Sequence, residues 1–139
     1  MYGEKFKGYL MKFPKTGEIF PDKYLNPSSY KTTPQQRTEK KANRDALNNL
    51  HRVTLANHKS KIVFSTNSLT LAELREILGI INRAYTSKIQ RKFQIKYWDD
   101  ELLKYRTMTV YMADVTYTKK KITSDSIDYD PIEFTFVEY

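Results

Sequence analysis

A mainly β fold is what this sequence predicts: antiparallel strands packed as a sandwich or partial barrel, with one flanking α-helix over about residues 70–85. Three observations carry the prediction. Short runs such as Phe93, Ile95, Tyr97 and Met108, Val110, Met112 alternate with polar residues, the period of a strand with one buried face. One window switches to helical spacing, with Leu74, Ile77, Leu78, Ile81 and Tyr85 at i, i+3, i+4, i+7 and i+11. Residues 21–49 are polar, basic and punctuated by Pro21, Pro27 and Pro34, which reads as a long arm over about 21–50 projecting from a single domain of residues 1–139.

The elements follow in chain order. Tyr9, Met11 and Phe13 alternate with Leu10 and Lys12 as an edge-like strand, Pro14-Lys15-Thr16-Gly17 is a turn, and Glu18-Ile19-Phe20 is a short return strand. In the arm, Tyr24, Leu25 and Tyr30 are the only large apolar groups ahead of the segment 38–47, which has the composition for a helical turn or two. Val53 and Leu55, then a polar turn at Asn57-His58-Lys59-Ser60, then Ile62 and Phe64 predict a β-hairpin. The helix is the best-signalled element. Thr70 and Glu73 have the spacing of a capping box, and Leu69 with Leu74 has that of a hydrophobic staple. Its apolar face is expected to bury Leu74, Leu78 and Ile81, while Gly79 reads either as room for close approach of another backbone or as neutral drift. A long second hairpin pairs 93–97 with 108–112 through a loop at 98–104, and Val115 and Tyr117 extend it. Lys119 through Tyr129 reads as a polar loop, and Ile132, Phe134 and Phe136 as the inward face of a last strand.

The chain's 139 residues carry a net charge of +8, unevenly placed. Residues 1–90 hold 16 Lys/Arg and 7 Asp/Glu, whereas 91–139 hold 8 and 9. A basic front suits nucleic acid or an acidic partner surface, and a basic front with an acidic tail suits head-to-tail contact between copies. There is no cysteine, hence no disulfide and no thiolate chemistry, which fits folding in a reducing cytosol. No apolar run reaches the roughly 18 residues of a membrane span, and the N-terminus has no signal-peptide core.

The residues that carry catalysis or metal binding elsewhere are sparse here. His51 and His58 are the only histidines, at a spacing that fits no common zinc motif, and four glycines form no phosphate loop. Asp99-Asp100-Glu101 reads as a charged turn rather than a cation site. Asp125, Asp128 and Asp130 lack the glycine and terminal glutamate of a calcium loop. No catalytic residue, metal or cofactor is therefore expected. Direct nucleic-acid binding is the alternative reading, resting on Lys31, Arg37, Lys40, Lys41 and Arg44 and on eleven tyrosines able to stack on bases.

From Arg44 onward several blocks occur in a fixed order: Arg44-Asp45-Ala46-Leu47-Asn48-Asn49-Leu50-His51-Arg52, Lys59-Ser60-Lys61-Ile62, and Leu69-Thr70-x-x-Glu73-x-x-x-Ile77-Leu78. Lys92-Phe93-x-Ile95-x-Tyr97-x-Asp99, Tyr105 through Asp114, and Phe134-Thr135-Phe136-Val137-Glu138 complete the series. In these blocks the chain resembles a family of small tailed-phage and prophage proteins; the residues before Arg44 match less clearly. The resemblance implies a non-enzymatic virion component of the tail tube, tail tip or baseplate, assembled in the bacterial host cytoplasm. Its partners would be copies of itself and other tail or baseplate proteins; the alternative is a basic nucleic-acid-binding phage protein, such as a head or DNA-packaging accessory. The order of elements is also similar to the tail-tube and distal-tail fold, a β-sandwich with a flanking helix and a long loop that reaches a neighbouring subunit.

Two interface expectations follow. Tyr24, Leu25 and Tyr30 should anchor the arm on a neighbouring subunit, because nothing else in their polar surroundings buries apolar area. The basic stretch 31–61, with Lys40, Lys41 and Arg44 at its centre, should face the acidic end, with Asp125, Asp128 and Asp130, of the next copy in a ring.

Overall fold

The computed structural model describes residues 2–36, 39–44, 50–54 and 59–139. Along the chain run β1 (Met11–Phe13), β2 (Glu18–Ile19), β3 (Lys31–Gln36), β4 (Glu39–Arg44), β5 (Leu50–Thr54), β6 (Lys59–Ser65) and β7 (Leu69–Thr70). Helix α1 (Leu71–Ala84) is followed by β8 (Tyr85–Ser87), β9 (Lys92–Asp99), β10 (Lys104–Met112), β11 (Lys119–Ile122), β12 (Ile127–Tyr129) and β13 (Glu133–Glu138). The fold is mainly β, and every strand pairing is antiparallel. The large sheet runs β2-β1-β9-β10-β13-β6-β3, with β8 beside β9, so it is open, with β2 and β3 at its ends. A small sheet runs β11-β12-β7, and β4 pairs with β5.

Period-two alternation decides the sheet's two faces. Met11 and Phe13, Phe93, Ile95 and Tyr97, Val110, Ile62 and Phe64, and Phe134 and Phe136 have no exposed surface, and register places them on one side. Their rings interlock: Phe64 stacks on Phe134 at 5.4 Å between centroids, and Phe93 meets Phe136 edge-on at 5.1 Å. Helix α1 adds Leu74, Ile77, Ile80, Ile81 and Ala84 to this core. The capping box forms as expected. Glu73 N–H donates to Thr70 Oγ1 at 3.4 Å and Thr70 N–H to Glu73 Oε1 at 3.0 Å.

Leu78 does not lie on the buried face. It is half-buried, and Ile80 takes the place expected for it. The buried stripe Leu74–Ile77–Ile80/Ile81–Ala84 is centred on Ile77, and this rotates Leu78 to the rim. Nor does Gly79 admit another backbone, since a Cβ built there meets only the end of Arg83, at 3.2 Å.

The segment read as an arm is structured in two different ways. Residues 21–30 fold into 3₁₀ turns at Asp22–Tyr24 and Pro27–Ser29, the second capped by Asn26, whose side chain accepts from Ser28 N–H. Beyond them Lys31–Gln36 is the edge strand β3 on β6, and the edge position tolerates Pro34, which has no N–H to donate. Thr33 pairs with Lys61, and eight residues further along Lys41 pairs with Val53 in the same register. The described strands β3 and β4 thus pair with β6 and β5 in the register of one long hairpin. Its base belongs to the large sheet and its outer part is the β4–β5 ribbon.

This corrects three expectations. No helical turn forms over the described part of 38–47, which is strand. β5 pairs with β4 and not with β6, and Lys59 and Ser60 are strand residues of β6 rather than a turn. Residues 45–49 and 55–58, including Leu47, Leu55, Asn57 and His58, lie outside the described residues. Further along, Trp98 and Asp99 belong to β9 and not to the loop, Val115 and Tyr117 are not strand, and Lys119–Tyr129 is the β11–β12 hairpin instead of a loop.

Candidate interaction surfaces

Two of the three expected anchors lie in the chain's own core, and the third packs against it. Tyr24 is 8% and Leu25 3% exposed. The Tyr24 hydroxyl donates to Glu76 Oε2 of α1 at 2.6 Å, and this bond holds the phenol above its usual pKa. Asn26 N–H donates to Ser65 O at 3.0 Å and Asn67 N–H to Tyr24 O at 2.8 Å, so the backbone on both sides of Leu25 is fixed to the end of β6. The ring of Tyr30 lies 6.1 Å from that of Phe64, and burial pushes its phenol well up. These residues anchor 21–30 to the molecule itself, which corrects the expectation that they reach a neighbour. The 3₁₀ turns satisfy the backbone, so the polar segment loses little by folding back.

The strands that carry the two charge sets belong to different sheets. Asp125, Asp128 and Asp130 lie in and beside the β11–β12 hairpin, where Asp128 pairs in register with Lys121, and Lys119 and Lys120 precede it. Thr123 Oγ1 donates to Asp125 Oδ1 at 3.2 Å. Lys40, Lys41 and Arg44 belong to β4, in another sheet, and their side chains lie outside the described residues. Part of the acidic end is already engaged by the basic stretch on the same chain. Ser60 N–H donates to Glu138 Oε1 at 2.9 Å, and Lys59 Nζ to Tyr139 O at 2.8 Å.

Sequence reading missed a surface that strand register assembles. On the face of the large sheet opposite the core, Lys12 pairs with Lys96, and Lys96 with Thr107. A second row runs Lys92–Tyr111–Val137–Lys61–Thr33 across five strands, and Lys31 pairs with Val63 beside it. Glu133 is the one strand carboxylate described on this face. None of Lys12, Lys31, Lys61, Lys92 and Lys96 is in an ion pair among the described residues. Lys12, Lys61, Lys92 and Lys96 were legible as polar partners in an alternation, whereas Lys31 read as part of the arm. Their convergence needed the strand order, which joins β6 to β9 through β13 and β10.

One end of this face is closed by rings. Phe6 meets Trp98 edge-on at 5.4 Å, and Tyr9 stacks on Tyr105 at 4.6 Å. The Tyr105 hydroxyl donates to Tyr9 O at 2.7 Å. Lys7 and Lys96 lie over the Tyr105 ring at 6.0 and 5.6 Å, and at the other end Lys92 lies over Tyr139 at 4.1 Å.

Beside α1 lies an open, mostly apolar groove of about 690 Å³, lined by Leu71, Leu74, Leu78, Tyr85, Val115 and Tyr117 among others. Leu78, packed at the rim of the core, is one of the groove's walls. Among the described residues no three His, Asp or Glu side chains are grouped as metal ligands would be. Nor is any helix long and apolar enough to cross a membrane.

DUF6711, a family of unknown function, matches residues 1–139, and the chain belongs to it. No curated protein and no solved structure matches the chain.

Proposed function

We propose that this member of DUF6711 is a non-enzymatic structural subunit of a phage tail, at the tail tube, tail tip or baseplate, and that it assembles into a ring through its long hairpin. The observation that carries the reading is the β4–β5 ribbon. It continues the register of β3–β6, yet among the described residues it pairs with no other strand. A two-stranded ribbon is marginal in water without a third strand or a packing surface. The six-residue strand β4 reaches roughly 20 Å, far enough to lie on a neighbour. In this reading the large sheet and the small sheet with α1 are the two layers of a sandwich, and the ribbon replaces residues 21–30 as the contact arm. The order of sequence blocks from Arg44 onward supports the tail assignment by resemblance alone.

The register supplies a clean test. Gln36 and Lys59 are paired at the base of the ribbon, so residues 37–58 are replaceable by an Asn-Gly turn without disturbing the sheet. The shortened chain should fold with the parent's circular dichroism and remain monomeric by light scattering, while the full chain forms rings seen by electron microscopy. Mass spectrometry of purified phage particles should find the full chain in tails and not the shortened one. A shortened chain that still forms rings and enters tails overturns the reading.

A further inference from the structure

We propose that the lysine-bearing outer face of the large sheet is a docking surface for the phosphate backbone of nucleic acid, a property that goes beyond the tail reading and does not depend on it. Three features favour this partner. Lys12, Lys31, Lys61, Lys92 and Lys96 share the face with a single strand carboxylate, and no described acidic group neutralises them by an ion pair. Among the positions around them, Thr33, Gln94, Thr107, Thr109 and Thr135 offer neutral donors of the kind that contact phosphate oxygens. Protein interfaces are depleted in lysine and built on an apolar centre, whereas nucleic-acid interfaces are polar and strongly positive. Here the half-buried Val63 and Val137 are the aliphatic groups between lysines, and neither stands out as an anchor.

The rings lie mostly at the ends of this face. Trp98 and Tyr105 are packed by Phe6 and Tyr9, while Tyr139, with Lys92 over one side, and Tyr111 stay partly exposed. Between these ends the lysines dominate, so recognition is electrostatic and indifferent to sequence. Lys92 and Lys61 stand three strand spacings apart, roughly 14 Å. That separation suits the phosphate rows on either side of a duplex major groove about 12 Å wide. Duplex DNA, with the higher charge density, should bind more tightly than a single strand of the same length.

The test is fluorescence anisotropy of the full-length chain with a labelled short duplex, the same single strand, and labelled polyglutamate, between about 50 and 200 mM salt. The proposal expects duplex binding whose logarithm falls with log salt at a slope near −4 to −5, about one unit per lysine. The variant K61E/K92E/K96E should lose at least about tenfold in affinity at the middle of that range and about three units of slope. K61Q/K92Q/K96Q, which adds no repulsion, should show a smaller loss in the same direction. A full-length control, K40Q/K41Q/R44Q, removes charge from the ribbon and should retain most of the affinity. The inference is overturned if the parent chain fails to bind duplex at about 50 mM salt. It is equally overturned if the sheet variants bind like the parent while the ribbon variant does not, or if polyglutamate binds as tightly as the duplex. The last outcome would assign the face to an acidic polypeptide. Loss of ring assembly in the shortened chain leaves these results unaffected, so the two readings fail separately.

Discussion

Arg106 Nη1 donates to Asp99 Oδ2 at 3.1 Å across the end of the β9–β10 hairpin, and the carboxylate is completely buried. The other Asp99 oxygen accepts from Glu101 N–H at 2.9 Å and Leu102 N–H at 3.1 Å, which builds the turn. The Arg106 Nη1 also contacts the Tyr97 hydroxyl at 3.4 Å, and that hydroxyl reaches Ser60 Oγ at 3.2 Å on β6. Burial opposes the Arg106 charge, but its bond to Asp99 holds the guanidinium above its ordinary pKa. Removing one member of such a pair leaves an uncompensated charge, so Arg106→Ala should destabilise by about 3–5 kcal/mol in urea denaturation. Asp99→Asn keeps the turn acceptor and should cost less than Asp99→Ala. Replacing both partners by apolar residues, Asp99→Leu with Arg106→Met, should cost less than Arg106→Ala alone. A double variant no more stable than Arg106→Ala would show that the pair contributes more than it costs to bury.

The helix offers a comparison between neighbouring positions. Ile77 has no exposed surface and sits at the centre of the buried stripe, while Leu78 is half-buried on the groove. Ile77→Ala should cost about 2–5 kcal/mol. Leu78→Ala removes less buried area and leaves no enclosed cavity, so its cost should stay below about 2 kcal/mol. Equal losses at the two sites, measured by denaturant midpoint, would mean that the groove closes over Leu78 in solution.

These two helix positions also show how far the sequence alone reaches. Helix ends are local chemistry, and Thr70 with Glu73 located the start of α1 correctly. The β9–β10 hairpin was legible because both strands alternate over many residues around a short turn. Which strand pairs with which is not local. Val53 and Ile62 look like hairpin partners across a polar turn, yet they pair in the register of one longer hairpin with β4 and β3, which are too polar to announce themselves as strand. The same polarity made Tyr24 and Leu25 look stranded, when two 3₁₀ turns and bonds to β6 carry them into the core. Asp99 read as a surface charge because its partner, Arg106, is supplied by register across the turn.

The tyrosines set a pH dependence. Burial raises the phenols of Tyr30, Tyr97, Tyr85 and Tyr117, and the bond to Glu76 raises that of Tyr24, all above the ordinary value of 10.0. A folded-state pKa above the unfolded one means that the fold binds the proton more tightly. The associated stability is fully present below pH 10 and is lost as pH rises from there toward the folded values. Urea midpoints should therefore fall steeply above about pH 10, and phenolate absorbance should rise in step with unfolding rather than before it. Two substitutions separate the contributors. The Tyr30 hydroxyl is buried and has no hydrogen-bond partner among the described residues, so Tyr30→Phe removes a desolvated group and should raise stability by about 1 kcal/mol while weakening the alkaline loss. The Tyr97 hydroxyl is bonded to Ser60 and Arg106, so Tyr97→Phe should lower stability by about 1 kcal/mol at neutral pH. If Tyr30→Phe destabilises as Tyr97→Phe does, the Tyr30 hydroxyl has a partner in solution, such as a bound water, and its burial is not what holds the proton.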